Sequence, residues 1–84
     1  KLSDNEYLFA GRIEIDYLNQ NYDFDLPHGN YETLAGLIFD KHQRIPKQGE
    51  QVTVLPYTFT IHSMKGNRID QVRMIDGRNN QKKK

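Results

Sequence analysis

The 84 residues contain no cysteine, which excludes disulfides, thiolate metal sites and cysteine nucleophiles together. Tryptophan is also absent, so five tyrosines and four phenylalanines supply every aromatic ring. Serine occurs only at Ser3 and Ser63, and neither sits in the Gly-x-Ser-x-Gly turn that exposes a nucleophile. The apolar run Leu37-Ile38-Phe39 falls far short of the roughly 18 residues that a membrane span requires. Lys1 leads into charged and polar residues without a starting methionine; no signal-peptide pattern is visible, and the chain reads as a piece cut from a longer protein. An excess of either charge is lacking too. Twelve basic side chains stand against 11 acidic ones, a formal net charge of +1, which sets up no long-range field to steer a polyanion and argues against nucleic-acid binding.

What remains is enough for one small domain. A chain of this length buries roughly 60 to 65% of its unfolded surface, and 36% apolar residues support one modest core. Tyr7 to Ala10 are β-prone and closed by Gly11, which predicts a short strand lying inside a sheet. Ile15, Leu18 and Tyr22 recur at spacings of three and four, one stripe of a short helix that buries Leu18. Glu14 is a poor N-cap for it, whereas Asp16 suits the positive end of the helix dipole. Asp23 to Asn30, with Pro27 and Gly29, reads as a loop. A second helix follows, capped by Asn30, with Leu34, Leu37 and Ile38 facing the sheet. Lys41 and His42 suit its last turn, and Pro46 bars continuation.

The remaining residues read as β structure. Val52 and Val54 alternate with polar neighbours, Pro56 marks a turn, and Tyr57, Phe59 and Ile61 form the buried face of the next strand. Lys65, Gly66 and Asn67 make a second turn. Ile69, Val72 and Met74 break strict alternation, which predicts a bulge near Asp70 or Gln71 in a strand ending near Ile75. The fold class is therefore α+β: a short strand, two helices, then a three-stranded antiparallel meander packed against the helices. Residues 1–76 form the domain. Residues 77–84, poor in apolar groups and ending in three lysines, read as a disordered basic tail.

No chemistry is signposted. His28, His42 and His62 are too far apart for a local metal motif. Asp23 and Asp25 resemble the start of a calcium loop, but Pro27 takes the third ligand position and Leu34 stands where the bidentate glutamate belongs. The six glycines are dispersed and build no phosphate cradle. Gly36 is the one that asks for a reason, since glycine inside a helix costs roughly 1 kcal/mol relative to alanine. Close packing of that helix against the sheet or the first helix is the reading adopted. No catalytic residue and no metal ligand is nominated, and the chain is read as a non-enzyme.

Taken in order, several blocks carry a resemblance to the CorC/HlyC transporter-associated domain. They are Tyr7-Leu8-Phe9-Ala10-Gly11-Arg12, Ile15-Asp16-Tyr17-Leu18-Asn19, Phe24-Asp25-Leu26-Pro27 and Tyr31-Glu32-Thr33-Leu34-Ala35-Gly36-Leu37, then Arg44-Ile45-Pro46-Lys47-Gln48-Gly49-Glu50 and Gly66-Asn67-Arg68-Ile69-Asp70-Gln71-Val72-Arg73. The resemblance implies a C-terminal accessory domain on the cytoplasmic face of the bacterial inner membrane. It implies CBS and membrane domains of the same polypeptide as partners, with a second copy of the domain as a further one. The proteins so built are hemolysin-like or linked to magnesium and cobalt efflux. The resemblance also extends to part of FAD-binding oxidoreductase domains, which makes flavin (FAD) or adenine-nucleotide binding the alternative, on fold analogy alone. Arg12, His42, Arg44 and Arg68 are the candidate partner contacts.

Overall fold

The computed structural model describes residues 4–78. Strand β1 (Glu6–Ala10) is followed by helices α1 (Ile15–Tyr22) and α2 (Leu34–His42), then strands β2 (Gln51–Val54), β3 (Tyr57–Lys65) and β4 (Arg68–Asp76). The four strands form one antiparallel sheet in the order β1-β4-β3-β2. The meander is as predicted. Strand β1, expected inside the sheet, is instead an edge, paired on one side to β4. The reason is topological: the two helices carry the chain across one face to the opposite edge, and the last strand of the meander returns to β1 with no further strand to cover it.

Both helices lie on the same face. Tyr57, Phe59, Val72 and Met74 are fully buried there, meeting Leu18 of α1 and Leu34, Leu37 and Ile38 of α2, which are also at 0% exposure. The predicted bulge exists and has a counterpart. Ile61 pairs with Val72, Ser63 with Gln71 and Met64 with Ile69, so β4 carries Asp70 as an extra residue and β3 carries His62. Ser63 Oγ donates to Asp70 Oδ2 at 3.1 Å across this irregularity.

The start of α2 differs from the sequence expectation. Its N-cap is Thr33, whose Oγ1 accepts from the Gly36 N–H at 3.1 Å, and Asn30 lies outside the helix. A small bridge between Glu14 and Thr33 explains the shift. Ile15 N–H donates to the Glu32 carbonyl at 2.8 Å and Leu34 N–H to the Ile13 carbonyl at 2.9 Å, which holds the chain before Leu34 extended and delays the first helical turn. Glu14 makes no side-chain cap for α1, as anticipated.

The loop after α1 is tied down at three points. Asn19 Nδ2 donates to the Leu26 carbonyl at 3.1 Å while its Oδ1 accepts from the Leu26 N–H at 2.9 Å. Asp25 N–H donates to Tyr57 Oη at 2.7 Å. The third tie comes from Arg78, assigned from the sequence to a mobile tail. Its guanidinium forks onto buried Asp76, with Nε 3.0 Å from Oδ1 and Nη2 2.9 Å from Oδ2. Nη1 donates to the Asp23 carbonyl at 2.8 Å. The group lies 5.6 Å from the Phe24 ring centre and 5.5 Å from that of Tyr57, a cation–π arrangement. Composition alone suggested disorder here, but one arginine beside a buried carboxylate has a strong reason to order. Residues 79–84, the rest of the predicted basic tail, lie outside the described residues.

Gly36 is where packing forbids a side chain. An added Cβ would stand 2.7 Å from Tyr31 Cβ, so the tight neighbour is the segment leading into α2 and not the sheet or α1. Gly36→Ala gains about 1 kcal/mol of helix propensity, yet urea unfolding should show it about 1–2 kcal/mol less stable than the native chain, since overpacking forces Tyr31 to move. Stability equal to or above native would contradict the packing account.

Burial pushes the Tyr57 phenol above its ordinary 10.0, outweighing the Asp25 N–H and the Arg78 charge that favour ionisation. A folded-state pKa above the unfolded one means a contribution that is intact below pH 10 and lost as pH rises through the folded value. Urea midpoints measured from pH 8 to 11 should therefore fall on the alkaline side, and Tyr57→Phe should flatten that limb.

Candidate interaction surface

The structure sets the four nominated residues along one end of the sheet. Arg12 follows the end of β1, Arg68 opens β4 opposite Lys65, and His42 and Arg44 precede β2. Two of the four are brought together. Glu50 Oε1 lies 3.2 Å from His42 Nε2, and Arg44 Nη2 donates to Glu50 Oε2 at 3.5 Å. Lys47 N–H also donates to Oε1, at 2.8 Å. That backbone bond is the main reason the Glu50 carboxyl is held below its ordinary 4.5, with the His42 and Arg44 charges adding to it. Arg12 and Arg68 are exposed and form no ion pair with any described residue. Sequence reasoning nominated His42 and Arg44 but missed Glu50, the carboxylate that gathers them; its signal was a single acid eight and six residues further on.

The opposite end of the sheet, near the start of β1 and the end of β4, carries Asp4, Asp23 and Asp25 beside Glu6 and Asp76, which are paired with Arg73 and Arg78. The most exposed large apolar side chain among the described residues is Leu55, 85% exposed at the turn between β2 and β3. A hollow of about 250 Å³ lies at the start of α1, lined by Glu14, Ile15, Asp16, His28, Tyr31 and Glu32. His28 Nε2 is 2.8 Å from Asp16 Oδ1, and Tyr31 Oη turns away to donate to the Pro27 carbonyl at 2.8 Å. Small-molecule sites usually occupy about 300–1,000 Å³. Three carboxylates around a smaller hollow do not fit the pyrophosphate of a flavin coenzyme. Among the described residues no three His, Asp or Glu side chains are grouped so as to hold a metal ion, and no helix is long and apolar enough to cross a membrane.

A helix-backed, four-stranded antiparallel sheet defines a small α+β domain. The particular family follows from comparison: residues 1–77 match the CorC_HlyC pattern, described as the transporter associated domain, and the chain belongs to that family. It is similar to the hemolysin domain of Enterococcus faecalis V583, with a TM-score of 0.80 at 32% identity, covering 90% of this chain and 93% of that one. It is likewise similar to the transporter associated domain of a CBS domain protein from Porphyromonas gingivalis, with a TM-score of 0.78 at 25% identity, covering 88% and 91%. The polyamine export protein of Escherichia coli K12 is 34% identical over 71 residues, which are 82% of this chain and 16% of that protein. The chain spans only 14 to 27% of the length of the curated relatives it first matches.

Glu50, its folded pKa depressed, contributes stability above its ordinary 4.5 and loses it as pH falls through the folded value. Glu50→Gln should make the acid limb of a stability-versus-pH curve shallower below pH 4.5. A limb of unchanged slope would show that the contacts around Glu50 do not favour its ionised form in the folded chain.

Proposed function

We propose that this chain is the non-catalytic accessory domain of a bacterial CBS-domain membrane protein. In this reading it lies on the cytoplasmic side and modulates transport of a divalent cation, magnesium or cobalt, through contacts with the CBS and membrane domains of its own polypeptide. The carrying observation is the pairing of two coverages. The chain accounts for nearly all of a solved hemolysin domain but under a third of the curated relatives, which is what a module serving a larger machine would give. Its exposed basic end and the protruding Leu55 offer contact surface without bond-making groups. Relatives named for polyamine export make an organic polycation the second cargo in this reading. Flavin or adenine-nucleotide binding rests on fold analogy, and a calorimetric titration with FAD, ATP and AMP tests it directly.

Removing this domain from the full-length protein, with the membrane and CBS regions intact, should change cation export from loaded cells or the oligomeric state of the purified transporter. Magnesium, cobalt and a polyamine serve as separate cargoes. Export and assembly both indistinguishable from the intact protein would sink the accessory reading.

A further inference from the structure

Strand β1 is an edge, and its pairing with β4 determines which backbone groups are free. Asp76 N–H donates to the Asn5 carbonyl at 2.8 Å and Gly11 N–H to the Asp70 carbonyl at 2.9 Å. In an antiparallel ladder the bonded positions alternate, so residues 5, 7, 9 and 11 turn their amides toward β4. Glu6, Leu8 and Ala10 then turn theirs outward, where no strand among the described residues pairs with them. The Ala10 carbonyl accepts from Ile13 N–H at 3.2 Å; the other outward groups face away from the sheet.

Free edges are normally blunted by lysine, proline, a bulge or extreme shortness. Strand β2, the other edge, is only four residues long. Strand β1 reads Glu-Tyr-Leu-Phe-Ala, with no lysine, no proline and an unbroken register. Its one charge is already engaged: Arg73 Nη2 donates to Glu6 Oε1 at 3.2 Å. On the helix side Tyr7 and Phe9 stack at 5.5 Å, and Tyr22, 38% exposed, closes on both edge-on. The edge is thus apolar on its helix side, and apart from the Ala10 carbonyl its outward backbone groups are unpaired among the described residues.

We propose that β1 pairs antiparallel with β1 of a second copy of this chain, about a two-fold axis at Leu8. Only the even-numbered residues have outward groups, and this axis sets Leu8 opposite the partner's Leu8 and Glu6 opposite the partner's Ala10, so that all three positions pair. An axis at Tyr7 or Phe9 would leave one of them unpaired. Beyond the strand, this register brings Asp4, in the bend before β1, toward the partner's Arg12, in the turn that follows it. Both are exposed, Arg12 has no ion pair among the described residues, and antiparallel pairing lays the basic end of one copy beside the acidic end of the other. The pairing deepens the accessory reading by naming a surface and a partner, and rests on that reading only for its role in the transporter. Self-association is measured on the 84-residue chain itself, so a monomer would overturn the pairing and leave the transport proposal standing.

Sedimentation equilibrium of the chain should show a monomer–dimer equilibrium. Leu8→Pro deletes an outward amide and spares the bonds to β4, so it should raise the dissociation constant about tenfold or more while the circular dichroism spectrum stays native. Arg12→Asp should weaken the dimer, and Arg12→Asp combined with Asp4→Arg should restore it. The charge exchange alters exposed side chains alone, so it reads the register even where the proline variant loses its fold. A chain monomeric into the millimolar range, a dimer untouched by Leu8→Pro in a native fold, or a dimer indifferent to the charge reversal overturns the proposal.

Discussion

Covering both faces of a four-stranded sheet takes two layers of helix, and helices of eight and nine residues supply only one. That constraint follows from chain length, since a small domain has too little interior for a second layer. The single core sits between the helices and one face, where Leu18, Leu37, Ile38, Phe59 and Met74 meet at zero exposure. The other face, with Thr58, Thr60 and Arg73, has neither of the two described helices over it. A fold of this economy has little room for a deep cleft, and a deep cleft is what catalysis needs in order to exclude water and hold charged groups in place.

With so little interior, ties at the margin matter. Arg78 joins the end of the sheet to the loop after α1 by bonding Asp76 and the Asp23 carbonyl while lying over Phe24 and Tyr57. The Tyr57 hydroxyl and the Asn19 amide fix the same loop from the sheet and from α1. Four hydrogen bonds to backbone atoms of this loop, one of them from the charged guanidinium, add to the burial of Phe24 and Leu26 in the core; hydrogen bonds to charged groups contribute about 1.5–3 kcal/mol where neutral ones contribute about 1.

Much of this was legible in the order of residues, for local reasons. Tyr57, Phe59 and Ile61 alternate, and alternation is how a half-buried strand announces itself; Leu34, Leu37 and Ile38 show helical spacing for the same kind of reason. The irregularity at Asp70 was readable because a bulge shifts the alternation of its own strand. What escaped depends on partners distant in sequence. Thr33 caps α2 because Glu14, on another segment, holds it extended. Nothing within Tyr7 to Ala10 says which side of the strand lacks a neighbour. Arg78 looked like part of a solvated tail since composition cannot see Asp23 or Phe24 folded beneath it. At the surface, charge singled out His42 and Arg44 while Glu50, which organises them, looked like any solvated acid.

The extra residues His62 and Asp70 offset each other: pairing returns to its former register at Met64 and Ile69. One unmatched insertion would have turned every later side chain of its strand to the wrong face. Beyond the two cancelling insertions, Met64 and Ile69 still pack on the core, and only the turn from Lys65 to Arg68 is exposed. Changes of length at that turn can be absorbed before they reach Ile61 and Val72, so this outermost point is where evolution, or an engineer attaching a label, has most latitude to rewrite the chain without disturbing its centre.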